Sequence, residues 1–186
     1  VLLAGGLLLT GVDYPTYFAG AQFIHFLLGP AVVALGWPLW QRRAELRQRW
    51  GRILLAALVG GGVAAASAVA LGAAFGLPRD VLLSLAPKSV TAPVAMGIAE
   101  QIGGIPALAA FFAVPTGLIG ALSARALFHR MGLGADAEDW RIRGFALGTT
   151  SHGIGAARAL QVDADAGAYA ALALGLDARQ ARELTL

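Results

Sequence analysis

Charged residues divide this chain into long apolar stretches. Residues 53–77 and 102–124 contain no Asp, Glu, Lys or Arg, and a hydrocarbon core about 30 Å thick takes roughly 20 helical residues. Each stretch predicts a membrane-spanning helix. Residues 21–40 predict a third, interrupted only by Gln22 and His25 and kinked at Gly29-Pro30, a step that membrane helices tolerate where neighbours satisfy the freed carbonyl. Residues 1–10 read as the end of a further span that starts upstream, because they carry no charged n-region or cleavage signal of a signal peptide. At the other end, "AGAYAALALGL" (166–176) yields to the polar "DARQARELTL" (177–186). The apolar part is too short to span, so the closing element is expected to end early or to be cut off.

Residues 81–99 carry no charge except at Lys88, the sole lysine, which stands between Pro87 and Pro93. One reading is an ordinary span with a snorkelling or paired lysine. The other is a pair of half-helices meeting at 88–92, since each proline removes a donor and disfavours helical geometry in the residue before it. Orientation bears on the choice. The segment 41–52, "QRRAELRQRWGR", sets five arginines against one glutamate, and a second cluster (Arg125, Arg130, Arg141, Arg143) follows residue 124. Positive loops stay inside, so loops 41–52 and 125–143 are expected in the cytoplasm. If 53–77 leaves and 102–124 returns, then 81–99 enters and exits on the outer side, as a re-entrant segment.

Composition supports a membrane setting. Of 186 residues, 58% are hydrophobic and 13% charged, against about a quarter charged in soluble domains, and mean hydropathy is +0.69. No linker divides the chain, which reads as one transmembrane domain over 1–186. The 25 glycines allow helix backbones to approach closely. There is no cysteine, hence no disulfide or thiolate metal site. The net charge of +3 sits in arginine clusters without interleaved aromatics, which argues against nucleic acid as a partner. Trp37, Trp40, Trp50 and Trp140 lie near span ends as interfacial anchors.

An internal repeat follows from setting 89–101 over 149–161: Thr91 then matches Ser151, Val94 Ile154, Ala95 Gly155, and Gln101 Gln161. Repeat 1 covers about 53–101 and repeat 2 about 102–176, after the N-terminal span. With one true span between the matched segments, the fold class is an all-α polytopic membrane bundle of two inverted repeats, each with a broken or re-entrant helix pair. That is the arrangement of secondary transporters, whose paired interrupted segments mark the binding site.

The residues at these breaks suit a carboxylate. Half-helix N-termini offer free N–H groups and partial positive charge. Ser89, Thr91, Thr149, Thr150 and Ser151 add hydroxyl donors, and Gly153 stands beside them in the second segment. Lys88 and Arg158 supply cations, which within a membrane call for a partner. A substrate carboxylate is one candidate and Glu100 the other. His152, inside the second segment, can bind substrate or carry a proton. Nothing indicates a cofactor or metal, and no nucleophile and base converge in the pattern, so an enzyme is not expected.

"LLSLAPKSVTAPVAMGIAEQIGGIPALAA" and "RGFALGTTSHGIGAARAL", with "FLLGPAVVALGWPLW" upstream, resemble the signature segments of the LrgB/CidB family of bacterial membrane proteins. The resemblance covers nearly the whole chain, from about residue 14 to 176. It implies a multi-pass protein of the bacterial inner membrane, a likeness to holin-like or antiholin-like regulators of murein hydrolase and autolysis, and a role beside an LrgA/CidA-like small membrane protein, in a homo-oligomer such as a dimer. Relatives linked to pyruvate uptake, and a plastid relative that exchanges glycolate and glycerate, imply transport of small 2-hydroxy or 2-oxo acids. The residue pattern favours the transporter, because a pore has no need of a lysine between two prolines.

Overall fold

The computed structural model describes residues 2–13, 16–17, 19–20 and 36–183. Its contacts group the chain into two compact units, 1–37 and 38–186. In the first, α1 (Leu2–Thr10) ends where the Thr10 hydroxyl donates to the Gly6 carbonyl at 2.8 Å. Most of the expected span 21–40 lies outside the described residues. Its last part belongs to the short α2 (Gly36–Gln41).

Every other described element is also helical. α3 (Arg43–Ala74) runs for 32 residues, about 48 Å at 1.5 Å per residue, well beyond the hydrocarbon thickness. The excess is the arginine-rich segment. Expected as a loop, 41–52 is instead mostly helix, because Ala, Leu, Arg, Glu and Gln are good helix formers and Glu45 and Arg49 pair at i,i+4. The second expected loop, 125–143, shrinks in the same way. α6 (Pro106–Arg130) continues through 125–130, and α7 (Ala137–Val162) begins on an Asp136 cap whose carboxylate accepts from the Asp139 N–H at 2.9 Å.

α3 and α6 are the two described helices long and apolar enough to cross a membrane. Their outer faces carry large apolar side chains that remain exposed, such as Leu55 and Val63 on α3 and Phe111 and Leu122 on α6. Exposed apolar faces of this kind suit contact with lipid or with another protein surface rather than water.

Between these helices lie α4 (Arg79–Leu85) and α5 (Ala92–Ile102), separated by the non-helical residues 86–91. The Ser84 hydroxyl accepts from the Ile105 N–H at 2.7 Å while donating to the Asp80 carbonyl at 2.6 Å. The end of α4 is thereby tied to the end of α5, so the chain runs out through 86–91 and returns along α5. Val90, Ala95, Ile98 and Ala99 then pack on Ala109 and Ala113 of α6.

α7 is interrupted at His152, whose φ of 40° and ψ of −136° belong to neither half. The second half, 153–162, folds back on the first, with Gly155 pressed against the Leu147 carbonyl and the Ser151 side chain. α8 (Ala164–Glu183) turns again and runs parallel to the first half, Ala166 on Gly144 and Ala170 on Gly148. A Cβ on either glycine would collide with the α8 backbone. In lipid, where no hydrophobic gain separates helix contact from lipid contact, such close backbone packing holds helices together. The apolar stretch 166–176 is therefore part of a 20-residue helix that continues through the polar tail.

Candidate functional site

The two breaks meet. The Cβ that Gly153 lacks would stand 3.8 Å from Thr91 Cγ2. Thr91 is the N-cap of α5, extended at ψ 144° and making no side-chain cap bond. Gly153 opens the second half of α7. The start of α5 and the start of the second half of α7 thus lie close together at this one contact, and a helix N-terminus carries free N–H groups and partial positive charge. α5 carries Pro93 in its first turn, which lacks an N–H but suits that position.

Lys88 lies three residues before Thr91 in the turns linking α4 to α5, where its own N–H donates to the Leu85 carbonyl at 3.2 Å. Its side chain is half-buried, and Nζ donates to Ser89 Oγ at 3.3 Å. No ion pair among the described residues includes it. Glu100, the competing partner, is exposed on α5. Lys88 is thus near the Thr91 cap along the chain, and no carboxylate is in ion-pair contact with its ammonium among the described residues.

His152 fixes the second tip. Its Nε2 lies 2.8 Å from the Ala113 carbonyl, and because a carbonyl only accepts, Nε2 carries the proton. In the neutral ring, Nδ1 is then left as acceptor. The ring reaches α6 because Gly117 is bare: a Cβ there would lie 2.5 Å from Nε2. Pro115, two residues before Gly117, interrupts the α6 backbone bonding at the same level.

The other expected site residues disperse. Thr149 is buried, donates to the Phe145 carbonyl at 3.0 Å and turns its methyl toward Gly60 of α3. Thr150 is exposed and donates to the Ala146 carbonyl at 2.7 Å. Ser151 is fully buried against Gly120, its hydroxyl 3.3 Å from that of Thr150. Thr91 therefore faces Gly153 and not Ser151, its match in the sequence repeat. Arg158 is exposed near the end of the returning half-helix, beside Arg125 and Arg143 on one cavity. Asp177, assigned by sequence to a polar tail, is 5% exposed, and neither carboxylate oxygen has a hydrogen-bond partner among the described residues. Its signal was one acid ending an alanine-rich helical run.

At the arginine-rich end, ion pairs tie α3, α7 and α8 together. Arg42 pairs with Asp165, Arg49 with Glu138 at 2.7 Å, and Arg141 with Glu45 at 3.1 Å, while the Tyr169 hydroxyl donates to Glu45 at 2.9 Å. The hydrogen bond from Arg49 holds the Glu138 carboxyl below the usual carboxylate range.

Two helices long and apolar enough to cross a membrane, with large apolar side chains exposed on their outer faces, mark a helical integral membrane protein. The chain belongs to the LrgB-like family, which it matches over residues 1–181. It is 36% identical to the uncharacterized protein YxaC of Bacillus subtilis over 87% of its own length and 68% of that protein's. It is 31% identical to the holin-like protein CidB of Staphylococcus aureus (92% and 73%), and 29% identical to an uncharacterized protein of Haemophilus influenzae (95% and 74%). No solved structure matches the chain significantly.

Proposed function

We propose that this protein is a carrier of small monocarboxylates such as glycolate, glycerate, pyruvate or lactate, not an enzyme, and that it holds the anion between the two broken helices. One observation supports this reading: Thr91, the N-cap of α5, lies against Gly153 at the start of the second half of α7, three residues along the chain from a lysine that has no ion-pair partner among the described residues. Two converging positive helix ends repel, and a carboxylate between them relieves that repulsion while accepting from the free N–H groups. Lys88, Ser89, Thr91, His152 and Gly153 form the site, with Thr149, Thr150 and Ser151 shaping the second tip.

In this reading the breaks belong to two inverted repeats, and the arginine-rich end faces the cytoplasm of a bacterial cell. The carrier works as a homo-oligomer, beside an LrgA/CidA-like membrane protein where one is present. Uptake of labelled glycolate, pyruvate and lactate into proteoliposomes, with and without a pH gradient, tests it: transport saturates and discriminates among acids. The name of the Staphylococcus aureus relative favours a second reading, a holin-like regulator of envelope hydrolysis. Under that second reading this protein would leak small solutes indiscriminately in the same vesicles.

A further inference from the structure

Where the end of α6 meets both ends of α7 lies a cavity of about 670 Å³. Arg125, Arg143 and Arg158 line it, and no acidic residue does. Arg143 is held in place: it donates to the Gly134 carbonyl at 2.6 Å, and its guanidinium stacks 4.6 Å from the Trp140 ring centre and 5.4 Å from that of Phe128. Arg125 and Arg158 are exposed, and neither guanidinium forms a hydrogen bond or ion pair among the described residues. This contrasts with the neighbouring ends of α3, α7 and α8, where Arg42, Arg49 and Arg141 each meet a carboxylate.

The rest of the wall is apolar. It includes Leu118 and Leu122, which are 50% and 74% exposed on the lipid-facing side of α6. Leu118 lies seven residues from Arg125, about 10 Å along the helix. The cavity therefore has cations at the arginine-rich end and an apolar slope toward the bilayer interior. A free two- or three-carbon acid matches the cations and leaves the slope empty. A phosphodiester carrying acyl chains matches both parts.

We propose that this cavity binds an anionic phospholipid of the leaflet at the arginine-rich end. Arg125 and Arg158 hold the phosphate beside the stacked Arg143, and the acyl chains lie over Leu118 and Leu122. The site is separate from Lys88, Thr91 and His152, none of which lines the cavity, and the proposal does not depend on transport.

Trp140 lines the cavity and supplies a reporter. With Trp37, Trp40 and Trp50 replaced by Phe, Trp140 is the only tryptophan, and phosphatidylglycerol brominated on its acyl chains is titrated into the detergent-solubilised protein. Saturable quenching is expected, far exceeding that by brominated phosphatidylcholine. Arg125→Gln and Arg158→Gln should each weaken it about fivefold, from the typical contribution of one basic residue near an anionic surface. Arg125→Lys/Arg158→Lys, which keeps the charge, should retain most of it. Equal quenching by phosphatidylcholine would overturn the proposal, as would an unchanged titration in the double glutamine variant or loss of quenching in the double lysine variant. Displacement of the lipid by equimolar inorganic phosphate or glycolate would make the cavity a small-anion site instead.

Discussion

Replacing His152 by glycine and by alanine separates backbone strain from ring contact at the second tip. With φ 40° and ψ −136°, His152 occupies a region that glycine enters freely and a residue with a Cβ enters only under strain. Such strain is of order 1–3 kcal/mol. Both substitutions remove the ring and its bond to the Ala113 carbonyl, a net loss of about 1 kcal/mol, and both open the same space against Gly117. They differ in the backbone: alanine keeps the strain, while glycine releases it at a cost of about 0.5–1 kcal/mol in unfolded-chain entropy. His152→Gly should therefore be more stable than His152→Ala by about 1–2 kcal/mol, the reverse of the order inside an ordinary helix. At about 2–4 °C per kcal/mol for a chain of this size, melting temperatures in one detergent should differ by roughly 2–8 °C. Equal melting, or a more stable alanine variant, would mean that the tip does not hold this conformation. The fold-back of 153–162 would then need another cause.

Further tests follow from the same geometry. Lys88→Met keeps the stem and removes the charge, so uptake should be lost in a protein that still folds, whereas Lys88→Arg should keep part of it; normal uptake by the methionine variant would remove the lysine from the site. Thr91→Val should weaken substrate affinity about ten- to a hundredfold, the value of one hydrogen bond to a charged ligand, and an unchanged KM would place the anion elsewhere. Gly148→Val, whose side chain would meet the Ala170 backbone, should abolish stable assembly, and a normally melting variant would contradict the packing of α8 on α7. Glu138 is held below its usual pKa by Arg49, so its stabilising contribution is present above about pH 4.5 and fades as pH falls through the lower folded value. Glu138→Gln should thus melt slightly below the parent at neutral pH, the gap closing in acid. A gap that widened in acid would reverse the sign of this linkage.

The features legible in the sequence are those set within about twenty residues. Two uncharged runs were long enough to span a bilayer, and helices α3 and α6 contain most of each. Pro87 and Pro93 announced the break between α4 and α5, because the penalties they impose are local. The arginine segments misled: positive charge fixes a side of the membrane but says nothing about coil, and good helix formers carried α3 and α6 well past the apolar runs.

By itself, then, the sequence determined that this is a helical membrane protein, where its uncharged runs lie and that the chain is interrupted twice, since chain length and backbone chemistry decide these. Only the tertiary structure decided what the interruptions do. Repeat matching paired Thr91 with Ser151, but the reversal at His152 buries Ser151 against Gly120 and presents Gly153 to Thr91. The reversal itself rests on α6, where bare Gly117 admits the imidazole to the Ala113 carbonyl. The same fold-back carries Arg158 away from the tips to join Arg125 and Arg143, and the run of α8 encloses Asp177. Each of these depends on which helix lies opposite. Contacts tens of residues apart in the chain set that, and no local pattern of apolar and polar positions encodes it.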